Sequence, residues 1–79
     1  MNGQIQIETA RLRTMIKEKG LTPNSLSRKA DLAAFTVYSL IKGQTQKIYF
    51  STLAAICGVL ECQPGDFLTY IESNGENRD

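Results

Sequence analysis

Apolar residues recur along this chain with two periods, and the switch between them predicts its elements. Near the N-terminus Ile5 and Ile7 alternate with Gln4 and Gln6, the period of a short strand over residues 2–8. A second extended piece is expected over 47–50, so the two can pair. From Thr9 the spacing lengthens. Leu12, Met15 and Ile16 stand three and four apart, predicting a helix over 9–19 that Gly20 stops. Leu26 and Ala30 lie four apart, and Val37, Leu40 and Ile41 repeat at i, i+3 and i+4, predicting two further helices of about eight residues joined by a tight turn over 31–33. Thr22 caps the first of these, Pro23 suits its first turn, and Gly43 supplies a left-handed stop after the second. Leu53, Ile56, Cys57 and Leu60 mark a fourth helix whose buried stripe begins just after Ser51, a good cap. Gly58 within it costs about 1 kcal/mol relative to alanine, which predicts a close helix neighbour there. Gln63-Pro64-Gly65-Asp66 opens a short fifth helix carrying Phe67, Leu68 and Ile71, and the polar stretch 73–79 is expected to be disordered.

The pattern predicts an all-α fold, a compact five-helix arrangement to which a short N-terminal strand can be added. Two short helices with an apolar inner face and a tight turn make a helix-turn-helix, whose second helix can lie in a major groove. At 79 residues the chain is expected to form one such domain over 1–79, with an ordered core over 5–71 and a polar tail over 72–79. The first ten residues lack the basic start and apolar run of a signal peptide, and no stretch approaches membrane-spanning length. A cytoplasmic location is therefore expected.

The net charge of +1 hides a division. Between Arg11 and Lys47, eight basic side chains face only Glu18 and Asp31, leaving +6. From Ile48 onward, five acidic residues face Arg78 alone, leaving −4. The basic half contains the helix-turn-helix, which suggests a polyanion surface; solvated lysines and arginines on helix faces are the plainer explanation. Cys57 and Cys62 stand alone with no histidine in the chain, so they cannot complete a tetrahedral zinc site. They are expected to be thiols, Cys57 in the core and Cys62 half-buried near the following turn.

The motif over 21–43 is accompanied by Arg11-Leu12-Arg13, by Lys19-Gly20-Leu21-Thr22, by Phe50-Ser51-Thr52-Leu53-Ala54-Ala55-Ile56-Cys57 and by Cys62-Gln63-Pro64-Gly65-Asp66-Phe67-Leu68. Together, across residues 9–71, these resemble the Cro/phage-repressor (Xre) class of helix-turn-helix transcriptional regulators, in a small single-domain subgroup. The resemblance implies a sequence-specific, repressor-like regulator that places the second helix of the motif in the major groove of double-stranded DNA. Carried over by position, the reading face is Ala33, Ala34, Phe35, Thr36, Tyr38 and Ser39, while Val37, Leu40 and Ile41 face the core. Phosphate contacts fall to Thr22, Arg28, Lys42, Gln44 and Lys47.

Several positions depart from the family pattern. Pro23 stands where a glutamine is common and removes both a side-chain donor and a backbone N–H, which puts one phosphate clamp in question. Asp31 replaces the usual glycine of the turn, tolerable because Asp visits the left-handed region. Ala33 replaces the usual Ser or Thr cap, at about 1 kcal/mol of helix stability. Ile16 and Ile41 stand where many relatives carry a buried Arg–Glu pair and are expected to be ordinary core. No Arg, Lys, Asn or Gln occurs over 33–41, so the usual bidentate base readers are missing. Readout then rests on the Thr36 and Ser39 hydroxyls and on apolar contact from Ala34 or Phe35 to a thymine methyl, with Tyr38 bonding phosphate. DNA shape and the loop residues Gln44 and Gln46 supply the remainder. Phe35 packing on its own helix or on a partner protein is the alternative.

Catalysis is not expected, since the chain has no histidine, no Gly-rich phosphate loop and no paired carboxylates in one element. Neither a cofactor nor a small-molecule ligand is indicated. A homodimer is the expected assembly on paired half-sites, through either the Ile5/Ile7 edge or the apolar end Phe67, Leu68, Tyr70 and Ile71, the latter preferred. A monomer in which these residues pack internally is the alternative. The competing functional reading is a protein-interaction module, or an antitoxin-type partner, that keeps the fold with weak or no specific DNA binding.

Overall fold

A computed structural model of the protein describes residues 3–45 and 47–72; Gln46 and the tail over 73–79 lie outside the described residues. Strand β1 (Gly3–Ile7) leads into helices α1 (Thr9–Glu18), α2 (Pro23–Ala30), α3 (Ala34–Ile41) and α4 (Phe50–Leu60). A single 3-10 turn at Pro64–Asp66 then delivers the chain to strand β2 (Leu68–Glu72).

The four helices stop and start where local chemistry requires. The Thr22 hydroxyl accepts from Ser25 N–H at 3.1 Å while the Ser25 hydroxyl oxygen accepts from Thr22 N–H at 2.7 Å, a reciprocal cap that opens α2 with Pro23 in its first turn. Gly20 (φ 73°) and Gly43 (φ 71°) take the left-handed conformation after α1 and α3, which costs a glycine no Cβ clash. Asp31 does the same after α2 at φ 57°, and Glu61 after α4 at φ 56°. The Lys19 ammonium bonds the Glu61 carboxylate, joining the end of α1 to the end of α4 and holding the Glu61 pKa below its ordinary value through that hydrogen bond and the lysine charge.

The core gathers Leu12 and Ile16 from α1, Leu26 and Ala30 from α2, Val37, Leu40 and Ile41 from α3, Ile56 and Leu60 from α4, and Phe67. Ile16 and Ile41 are both buried, as their apolar character predicts. Ser27 is the buried polar residue among them, and its hydroxyl donates to the Asn24 carbonyl at 2.6 Å, so its burial leaves no orphan.

Four expectations need correction. No fifth helix follows Pro64: the Asp66 carboxylate accepts from Gln63 N–H at 2.9 Å and closes one 3-10 turn, after which the chain is extended. Leu68-Thr69-Tyr70-Ile71 is rich in β-branched and aromatic side chains, and its pairing with β1 overrides the Phe67/Ile71 spacing. Consequently β1 does not pair with 47–50; it runs antiparallel to β2, with Ile5 opposite Tyr70 and Ile7 opposite Leu68. Helix α4 begins at Phe50 with Tyr49 at its cap position, so Ser51 is already inside the helix, and the buried stripe narrows to Ile56 and Leu60 with Leu53 and Cys57 half-buried. Among the described residues, nothing outside the local backbone of α4 comes within 4 Å of where a Gly58 Cβ would stand.

Candidate nucleic-acid interface

The turn between α2 and α3 is built by backbone hydrogen bonds around left-handed Asp31. Leu32 N–H donates to the Ser27 carbonyl at 2.8 Å and Asp31 N–H to that of Arg28 at 3.2 Å, satisfying carbonyls at the end of α2. Ala33 then runs extended (φ −65°, ψ 141°) into α3, with no side-chain cap. Burial of Val37, Leu40 and Ile41 fixes the rotation of α3 about its axis. A helix so anchored turns its other face outward. Ala34, Phe35 and Tyr38 are exposed, and Thr36 and Ser39 are half-buried at the flank. Phe35 is 80% exposed, so it does not pack against its own helix.

A groove of about 420 Å³ runs between α3 and the segment entering α4. Of the residues expected to meet DNA, it brings together Phe35, Thr36, Ser39, Gln44 and Lys47. Ala34 and Tyr38 stand outside it on the exposed face, as does Lys42 at the end of α3. Arg28 lies exposed in the last turn of α2, away from the groove. Among the described residues, none of Arg28, Lys42 and Lys47 has a carboxylate within ion-pair reach. Thr22 lies in a different, apolar recess of about 310 Å³ with Arg13, Lys17, Pro23 and Ile41. Its hydroxyl oxygen is committed to the α2 cap, and its one hydrogen points to Ser25 Oγ at 3.2 Å unless another acceptor arrives. Arg13 also reaches the Ile41 carbonyl at 3.5 Å, a cation at the negative end of α3.

Two exposed aromatics beside the site escaped sequence reasoning. Tyr49 is 68% exposed and lines the groove, and the adjacent Phe50, outside the groove lining, is 88% exposed at the start of α4. The signal was the aromatic pair that follows Lys47-Ile48 at the end of a polar loop, which the β-strand reading of 47–50 absorbed.

Cys57 and Cys62 are free and half-buried. Burial first, then the neighbouring Cys57 thiol, push the Cys62 pKa up from 9.0 to about 11, which keeps it a protonated, unreactive thiol at neutral pH. Among the described residues no cluster of three metal-ligating side chains occurs, and no helix is long and apolar enough to cross a membrane.

Two packed helices, a left-handed turn and an outward second helix beside free cations define a helix-turn-helix DNA-binding domain. The family model for the Cro/C1-type HTH DNA-binding domain matches residues 11–73, and the chain belongs to that family. A stretch of 56 residues is 38% identical to the uncharacterized HTH-type transcriptional regulator YozG of Bacillus subtilis (strain 168), covering 71% of this chain and 67% of that protein. No solved structure gives a significant match.

Proposed function

We propose that this DNA-binding domain acts as a sequence-specific, repressor-like transcriptional regulator that occupies an operator by setting α3 in the major groove. The observation that carries this reading is the exposed outer face of α3, followed by exposed Lys42 and bordered by a groove that Lys47 lines and that, among the described residues, no carboxylate lines. Ala34, Phe35, Thr36, Tyr38 and Ser39 meet the bases, Tyr38 with its hydroxyl on phosphate, while Thr22, Arg28, Lys42, Gln44 and Lys47 hold phosphates. The regulatory role of the Bacillus relative, as its name gives it, supports the assignment. Binding by this surface releases counterions, so log K falls against log salt with a slope of about −0.9 per phosphate neutralised. Lys42→Ala and Lys47→Ala should each reduce that slope by about one per protomer, on specific and unrelated duplexes alike. An affinity insensitive to salt contradicts the assignment.

A second reading is favoured by the solvent-facing Phe35, Tyr49 and Phe50: a protein partner, with DNA binding weak or lost, as in an antitoxin-type module. The same titration separates the two, because that module binds duplex weakly or not at all even at low salt.

A further inference from the structure

We propose that α3 selects its DNA by the C5-methyl groups of thymine, with Phe35 as the principal methyl-contacting side chain; the inference rests on the major-groove reading above. The four base pairs differ in the major groove by their hydrogen-bonding atoms and by one apolar mark, the thymine methyl. The exposed face of α3 offers almost nothing to the former. It carries no Arg, Lys, Asn or Gln, its hydroxyls on Thr36 and Ser39 are half-buried at the flank, and the exposed Tyr38 phenol is assigned to phosphate. It offers a great deal to the latter. Phe35 stands 80% exposed in the first turn, beside the small side chain of Ala34, which lets the helix approach closely.

The charge pattern identifies the occupant as DNA. A protein partner for Phe35, Tyr49 and Phe50 needs an apolar surface, and nothing in such a surface calls for cations. Here Lys47 lines the same groove as Phe35 and Tyr49, Lys42 follows at the end of α3, and among the described residues no carboxylate lines the groove. Apolar contacts at the centre with positive charge at the edges complement the methyl-bearing floor and anionic walls of a thymine-containing major groove. A bidentate polar reader would instead leave buried donors unpaired against the wrong base; a phenyl ring loses only the methyl contact, so discrimination accumulates over several thymines.

The test uses a duplex selected by the protein from a random pool, made once with thymine and once with deoxyuridine at every thymine position. The two differ only in the methyl groups, and fluorescence polarisation at fixed salt compares them. Each methyl buried on Phe35 or Ala34 should be worth about fourfold in affinity, so the deoxyuridine duplex binds at least that much more weakly. Phe35→Ala, at an exposed position that leaves the core intact, should bring the ratio close to one, whereas Lys29→Ala, at an exposed α2 position with no assigned DNA contact, should leave it unchanged. Equal binding of the two duplexes, both tighter than unselected DNA, overturns the methyl inference and leaves the DNA reading standing. A Phe35→Ala variant that keeps the full thymine preference overturns the role of Phe35. No binding to any duplex removes the major-groove reading and this inference with it.

Discussion

Gly58 occupies a solvent-exposed position on α4 with open space where a Cβ would stand, and its φ lies outside the left-handed region. Nothing in the fold therefore requires glycine there, and the entropic penalty is uncompensated. Gly58→Ala should raise unfolding free energy by about 1 kcal/mol, read as a higher urea midpoint at unchanged m-value. Cys62 makes a contrasting case, in which the environment acts on the titration of one atom. Its folded pKa of about 11 lies above the ordinary 9.0, so the thiol stabilises the fold fully below pH 9.0, and that contribution is lost as pH rises toward 11 because the unfolded chain ionises first. A stability profile should decline across that window in the parent and flatten in Cys62→Ser. Alkylation of the folded protein at neutral pH should likewise be slow and accelerate on unfolding.

Helix α3 and the β1–β2 sheet differ in how they are held. Three of the eight residues of α3 are buried in the core, and Leu40 is among the most deeply enclosed side chains. Leu40→Ala should cost about 2–5 kcal/mol, measured by denaturant titration, and abolish any DNA binding only by way of unfolding. In the sheet, Gly3, Gln4, Ile5 and Gln6 are all exposed and only Ile7 reaches toward the core. Its attachment rests on Ile7, Leu68 and the bond from Glu8 N–H to the Phe67 carbonyl at 2.8 Å. Amides of β1 and β2 should thus exchange through local opening, orders of magnitude faster than those of α1 and α4, in a monomer. Phe67 at the base of β2 belongs to the other class, fully enclosed, and does not move with the sheet.

At the scale of the molecule, the two candidate dimer surfaces meet at Ile5 and Tyr70, while Phe67 is buried in the core and drops out of the second candidate. Ile5 faces Tyr70 across the sheet, and both are exposed, with Ile71 on the opposite face. A second copy that extends or covers this sheet would present two reading helices to one duplex, and two half-sites one helical turn apart supply the affinity that a single small domain lacks. Sedimentation of the parent beside a Tyr70→Glu, Ile71→Glu variant should show a dimer, on its own or on DNA, that the variant loses. Monomers at every concentration with and without DNA would refute pairing through this sheet. Slow amide exchange in the sheet of the parent but not of the variant would provide independent support.

The four helices were legible because their signals are local. Leu12/Ile16, Leu26/Ala30, Val37/Leu40/Ile41 and Ile56/Leu60 repeat at the spacing of a helix face, and Thr22-Pro23, Gly20 and Gly43 punctuate them with chemistry that acts within a few residues. The family resemblance and the outward face of α3 follow from the same stripes. What the chain could not announce was set by contacts between distant segments. Residues 67–72 satisfy a helical spacing through Phe67 and Ile71 as well as an alternating one through Leu68 and Tyr70, and only β1, arriving from the other end of the described chain, selects the extended form of β2. Tyr49 likewise became part of the candidate site only when the segment entering α4 came to lie beside α3 and left its ring in solvent. Helical hydrogen bonds close within one turn and can be read from neighbours, whereas a strand bond needs a partner and a groove needs two walls, and both exist only after the chain has folded.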